Sequence, residues 1–224
     1  MPNWAAVIAA AGQGTRYAPD ALKQESLLAG KPVLQWSIDA LRPFCAQLLV
    51  AVPPTELLRF QGKFTGVDRW VPGGLSRAES IAAAIDALEP GIDYVLIHDA
   101  ARPAVTADLI HQVKAAAEQD GAAIAALPLT DTVKQVDARR VIAQTLDRDS
   151  LWVAQTPQGF SCALYRQALA AWRGGADPRL IPTDDAMLLE LAGLAVVVVP
   201  GVVDNLKLTH AADRGRLEQV LTTR

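Results

Sequence analysis

In AAVIAAAGQGTRYAPDALKQE, residues 5–25, a small-residue apolar run passes into Gly-x-Gly and is followed by two cations, Arg16 and Lys23. Gly12 and Gly14 let backbone N–H groups approach an anion closely, and the two side chains add full positive charge, which together make a cradle for a triphosphate. The same residues serve equally as a tight turn with solubilising cations. Better-known loops do not fit. Tyr17 stands where Gly-x-Gly-x-x-Gly needs its third glycine, and LLVAVPP does not end in a ribose-binding acid. Gly14-Thr15-Arg16 lacks the Gly-Lys-Ser/Thr of a Walker A loop. A dehydrogenase-type Tyr-x3-Lys is also missing, since Leu169 follows Tyr165, and Ala21 follows Tyr17, at that spacing.

Two aspartates sit just past apolar runs, Asp99 with Arg102 in YVLIHDAARP and Asp204 with Lys207 in VVPGVVDNLKLT. Ligands of open α/β sheets collect at the carboxyl ends of strands, so Asp99 is a candidate Mg²⁺ ligand, with Asp204 able to share the ion alongside phosphate oxygens. A turn-forming aspartate is the plain alternative for Asp99. In VPGGLSRAESIAAAI, Gly73-Gly74 precede a helix starting near Ser76, whose free N–H groups could meet a base or sugar; Ser76 with Glu79 also makes a capping box. Arg148, Thr156, Thr183 and Asp184 are polar residues read as lying beside turns. His98, His111 and His210 lack metal-ligand spacing, and no Ser-His-Asp or Cys-His order points to a covalent nucleophile. Trp36, Trp70, Trp152 and Trp172 are too scattered for a stacking platform and read as packing residues.

Positioning these groups requires a scaffold. AAVIAAA, QLLVAVP, YVLIHD, AAIAALPL and LAVVVVP read as strands buried on both faces. Between them PVLQWSIDALRPF, SRAESIAAAIDAL and TADLIHQVKAAAEQ have helical spacing, the last with Thr106 as N-cap. The expected fold is α/β, a Rossmann-like mostly parallel sheet flanked by helices, forming one domain over 1–224. Residues 132–148 break the rhythm: two period-2 stretches flank Asp137-Ala138-Arg139-Arg140, predicting a projecting β-hairpin arm that packs against its copy in a homodimer. With 51% hydrophobic residues among 224, a sizeable core is available, and a net charge of −3 gives no basic face for nucleic acid. Cys45 and Cys162 are expected to be free thiols in a reducing, cytoplasmic setting. No membrane span is expected, because the longest apolar run, residues 191–203, is broken by Gly193, Pro200 and Gly201.

In this order, AAAGQGTR, LKQ, GGLSRAES, HDAARP, DTVK, LWVAQTPQ, TDDA and DNLKLT resemble the 2-C-methyl-D-erythritol 4-phosphate cytidylyltransferases of non-mevalonate isoprenoid synthesis, along nearly the whole chain. The resemblance implies a homodimer interlocked by the arm, with CTP and methylerythritol phosphate as substrates and Mg²⁺ as cofactor. Carried over by position, the backbone at Ala10, Ala11, Gly12 and Gly14 would hold CTP. Arg16 and Lys23 would act on its phosphates, with Lys207 bracketing the α-phosphate from the other side. Gly74 and Ser80 would approach cytosine and ribose, and Asp99 would bind the metal. Arg102, Thr183, Asp204 and Lys207 would line the meeting point of the substrates, while Thr132, Arg148 and Thr156 would help hold the acceptor, arm residues coming from the other subunit. The chain departs from the family where Leu22-Lys23-Gln24-Glu25 replaces the usual Pro-Lys-Gln-Tyr, and where Leu75 replaces a common acid. A ribitol 5-phosphate cytidylyltransferase and a non-catalytic nucleotide-binding module remain the alternatives at this stage.

Overall fold

A computed structural model describes residues 2–12, 22–175 and 181–223. The chain enters through β1 (Trp4–Ala9), forms a small antiparallel pair from β2 (Leu27–Leu28) and β3 (Lys31–Pro32), and continues as α1 (Val33–Leu41), β4 (Gln47–Val52), α2 (Leu57–Gln61), β5 (Arg69–Pro72) and α3 (Arg77–Asp86). Next come β6 (Tyr94–Asp99), α4 (Ala107–Asp120), β7 (Ala122–Pro128) and a hairpin of β8 (Val133–Val136) and β9 (Ile142–Leu146). The described chain ends with β10 (Trp152–Ser161), α5 (Cys162–Arg173), α6 (Asp185–Leu191), β11 (Val197–Pro200) and α7 (Asp213–Thr222).

Seven strands form one sheet in the order β11-β7-β10-β6-β1-β4-β5. It is mostly parallel, as expected; β10 alone among the described strands runs antiparallel to both of its neighbours. Side chains alternate across a strand, and β1 divides the core accordingly. Ala6 and Ile8 pack with Leu34 and Ile38 of α1, Phe60 of α2 and Leu109 and Val113 of α4. Ala5 and Val7 pack on the other face with Ile81 and Ile85 of α3, Tyr165 and Leu169 of α5 and Leu188 of α6. Burying each such large apolar side chain contributes about 1.5–3 kcal/mol relative to exposing it. The small residues of β1 leave room for helices on both sides.

Helix starts are set by side chains as anticipated. Ser76 and Glu79 form both halves of a capping box at α3, and Thr106 Oγ1 accepts from Leu109 N at α4. LAVVVVP departs from expectation: β11 is an edge strand whose residues alternate between half-buried and exposed, with Val198 44% exposed, because β7 pairs it on one side only. The arm is present as β8 paired antiparallel with β9. Trp152 is also a correction, being 44% exposed at the start of β10 beside the arm rather than packed in the core.

Candidate active site

Strand order reverses at β1: β4 and β5 build outward on one side, β6 lies on the other. Ligands of open sheets bind outside the carboxyl ends of the strands at such a point. In the β1–β6 register Ala9 lies opposite Asp99, so the glycine segment and the aspartate leave the sheet side by side. Above them is a cleft of about 930 Å³ lined by Ala10, Ala11, Gly12, Lys23, Gly74, Ser80, Asp99 and Lys207, all expected site residues.

Asp99 is the electrostatic centre. Arg77 Nε donates to its Oδ1 at 3.0 Å and Lys207 Nζ to its Oδ2 at 2.6 Å, while its backbone N donates to Thr156 Oγ1 at 3.0 Å. Burial works against the charged carboxylate, but Arg77 and then Lys207 outweigh it and hold Asp99 well below the usual carboxylate range. Arg77 was given no role from sequence, although it stands one residue past the α3 cap. Its Nη1 lies 2.7 Å from Asp185 Oδ2, so it joins two buried acids. Burial opposes its charge, yet Asp185 and Asp99 raise its affinity for the proton further. Burial pushes the Asp185 carboxyl up, and Arg77 and the Tyr165 hydroxyl offset part of that shift.

Lys207 is delivered by a segment stitched to the turn after β6, through Leu208 N donating to Ala101 O at 2.7 Å. Lys23 Nζ donates to Leu208 O at 2.9 Å, which brings the two lysines to one wall. Leu208 also packs with Leu217 and Leu221 of α7 in a separate apolar cluster that supports this wall. Gln24, likewise given no role from sequence, is buried and donates through Nε2 to Gly12 O at 2.7 Å and to Ala10 O. Glu25, one of the departures from the family pattern, pairs with Lys63 at 2.7 Å and with Arg59 of α2, fastening the Lys23 turn to the scaffold. Leu75, the other, is fully exposed at the cleft.

Several expected roles change with the geometry. Ala10 N donates to Ala51 O at 2.8 Å and its carbonyl accepts from Gln24, so among the described residues of this segment the backbone donors left for an anion are those of Ala11 and Gly12. A Cβ on Gly73 would come within 2.4 Å of Ala11 Cβ, so the Gly-Gly turn permits the close approach of the two loops. Ser80 Oγ donates to Ser76 O and accepts from Gly74 N at 3.1 Å, bracing that turn. Gly14 and Arg16 lie outside the described residues.

The remaining residues do not line the cleft. Thr156 is not beside a turn: it is buried within β10, bonded to Asp99 N and to His98 Nδ1 at 3.0 Å. Since Arg102 O can only accept, His98 Nε2, 3.1 Å away, carries the ring proton and Nδ1 takes the Thr156 hydroxyl proton. Arg102 reaches Asn205 O at 2.8 Å and Ala154 O at 3.3 Å, and burial lowers its proton affinity. Asp204 is exposed, with Oδ1 3.8 Å from Arg216, and is not among the residues lining the cleft. Thr183 is exposed against Met187 Sδ, and Asp184 caps α6 by accepting from Met187 N. Thr132 and Arg148 are exposed at the base of the arm, Arg148 donating to Thr130 O at 2.6 Å.

Known proteins share both sequence and shape with the chain. Its residues 4–223 match the family "IspD: 2-C-methyl-D-erythritol 4-phosphate cytidylyltransferase". A bifunctional enzyme IspD/IspF of Rhodopseudomonas palustris (strain HaA2) is 42% identical over 229 residues, covering 99% of this chain and 56% of that protein. The chain thus spans about half the length of such bifunctional relatives. A 2-C-methyl-D-erythritol 4-phosphate cytidylyltransferase of Synechococcus elongatus (strain ATCC 33912 / PCC 7942 / FACHB-805) is 38% identical, covering 97% of this chain and 96% of that one. The crystal structure of the enzyme of that name from Thermus thermophilus superposes over the full length of both chains with a TM-score of 0.80 at 33% identity. With the fold, the switch-point cleft and these matches in agreement, the chain belongs to the 2-C-methyl-D-erythritol 4-phosphate cytidylyltransferase family.

Proposed function

We propose that the chain joins CTP to 2-C-methyl-D-erythritol 4-phosphate, giving 4-diphosphocytidyl-2-C-methyl-D-erythritol and pyrophosphate for non-mevalonate isoprenoid synthesis. The observation that carries this reading is the Asp99 carboxylate held between Arg77 and Lys207, facing a glycine-lined cleft. An acceptor phosphate oxygen attacks the α-phosphorus of CTP; one P–O bond forms as the bond to the bridging oxygen breaks, and its electron pair leaves with pyrophosphate. The acceptor is already anionic near neutral pH, with a second phosphate pKa of about 6, so no general base is needed. The protein must instead offset anion repulsion and align the reactants. Ala11 and Gly12 N–H groups and Lys23 act on the triphosphate, together with Arg16; Lys207, on the same wall as Lys23, moves from Asp99 to the α-phosphate.

Mg²⁺ suits the donor set. Magnesium takes one or two carboxylates and completes its shell with phosphate oxygens and water. Asp99 offers a single buried carboxylate, and among the described residues no group of three or more His, Cys, Asp or Glu forms a closed cage. Bound there with the triphosphate, the ion would supply charge neutralisation at the phosphates.

The same reading makes the chain a cytoplasmic homodimer joined through the arm. Val136, Val141 and Ile142 are about half-exposed on the hairpin, and Trp152 and Val153 at the start of β10 are also about half-exposed. A lone two-stranded hairpin is only marginally stable, which favours packing on a second copy, with Thr132 and Arg148 helping to complete the acceptor site. Free Cys45 and Cys162 suit a reducing compartment, and among the described residues no helix is long and apolar enough to cross a membrane. The decisive experiment is pyrophosphate release with CTP and Mg²⁺, comparing methylerythritol 4-phosphate with ribitol 5-phosphate and including Asp99→Ala. Turnover with the former that is lost in the variant supports the reading; turnover with ribitol phosphate alone replaces the acceptor, and silence with both where CTP binds removes the enzymatic role.

A further inference from the structure

Asp99 has two cationic partners where one would keep it ionised, and the two are not equivalent. Lys207 is a lysine on an irregular segment, its side chain 41% exposed at the cleft wall. Arg77 is 25% exposed and fastened at its far end: Nη1 lies 2.7 Å from Asp185, whose Oδ1 accepts from the buried Tyr165 hydroxyl at 2.7 Å. Asp185 is in turn held by its own backbone N donating to Gln158 Oε1 at 3.1 Å. Tyr165, Asp185, Arg77, Asp99 and Lys207 therefore form a row of alternating charge from core to cleft. A rigid guanidinium bridging two acids is tied to its place, whereas an ammonium on a flexible stem can exchange partners.

We infer that Arg77, anchored by Asp185, is the resident counter-charge that keeps the Asp99 carboxylate in place while Lys207 leaves it for the reacting phosphate. Arg77 and Asp185 are then positioning residues acting through Asp99. Arg77 and Lys207 are the side-chain donors to the two Asp99 oxygens, so without Arg77 the departure of Lys207 would leave the carboxylate with neither of them to fix its orientation toward a metal. The inference rests on the proposed reading in which Asp99 meets the metal and Lys207 the α-phosphate.

Mn²⁺ serves as a paramagnetic probe, and its affinity for protein plus CTP, without acceptor, is read by electron paramagnetic resonance for the wild type, Asp99→Asn, Asp185→Asn and Arg77→Lys. CTP affinity without metal is measured in parallel. Loss of a partner behind a metal ligand weakens metal affinity about 10–100-fold. Asp185→Asn, which lies outside the cleft lining, and Arg77→Lys, which keeps the charge but not the bridge, are both expected to lose about tenfold in Mn²⁺ affinity with metal-free CTP binding little changed. If Asp99→Asn weakens Mn²⁺ binding and both other variants match the wild type, the positioning role is wrong while the metal reading stands. If Asp99→Asn itself binds Mn²⁺ normally, the metal reading fails and takes the inference with it. If Asp185→Asn fails to fold, Arg77→Lys decides alone; should it keep Mn²⁺ affinity and lose only turnover, Arg77 contacts substrate and the inference is overturned.

Discussion

At the residue scale the cleft works by placing cations near one acid, and the cations can be tested singly. Lys23→Ala or Lys207→Ala should lower kcat by about 10²-fold or more, the usual loss for one transition-state donor; steady-state turnover at saturating CTP checks this, and near-normal kcat would remove that lysine from the chemistry. His98 gives a different signature. It is fully buried, and burial, opposed in part by Asp99, lowers its pKa to about 4 from 6.5. The unfolded chain therefore binds more protons between those values, so the neutral ring contributes stability at pH 7 that is lost as pH falls below about 6.5. Between pH 7 and 5 the loss should be about 2 kcal/mol by denaturant unfolding, from the 1.36 kcal/mol carried by each pKa unit. His98→Asn, which cannot titrate, should show a flatter pH dependence. Asp99 and Lys207 were readable in sequence because each follows an apolar run. Arg77 was not, because its partners Asp99 and Asp185 are distant in sequence and only the fold brings them together.

At the element scale α3 ties the two halves of the cleft together, its capping box at one end of the Gly-Gly turn and Arg77 in its first turn. Ser76→Ala should cost about 1 kcal/mol, the typical value for a lost N-cap, measured by denaturant midpoint. Gly73→Ala should act on function: the added Cβ meets Ala11 Cβ at 2.4 Å and would push the glycine segment outward. A displacement on the scale of about 1 Å costs about 10²-fold, so kcat/KM for CTP should fall by that order while melting changes less. Strands β1, β4, β6 and β7 announced themselves as apolar runs, but β10 did not. LWVAQTPQGF contains Pro157 and Gly159, which argue against a central strand. The structure accommodates them with a register shift between Ala154 and Gln158, and β6 and β7 supply the pairing on either side. That hidden strand carries Thr156 beneath Asp99, which is why Thr156 looked like a turn residue. β11 failed in the opposite sense, four valines reading as a buried strand although only position in the sheet decides burial.

At the scale of the whole molecule, one chain supplies the cleft proposed for CTP but leaves Thr132 and Arg148 at the base of an arm outside that cleft. The hairpin was legible because its period-2 pattern interrupts an alternating α/β rhythm, whereas the partner for its apolar residues cannot be read from one chain's periodicity. Its half-exposed Val136, Val141 and Ile142 give an apolar surface to a two-stranded element that has little reason to stay ordered alone. A second copy would cover that surface and bring the arm to the acceptor site. Deleting residues 133–147 should therefore convert a two-chain mass to a one-chain mass in sedimentation equilibrium. Because every described cleft-lining residue lies outside that segment, CTP binding should persist while KM for methylerythritol phosphate rises sharply. A deletion variant that stays dimeric would move the interface elsewhere, and one that is monomeric with normal acceptor KM would make the arm a purely structural contact.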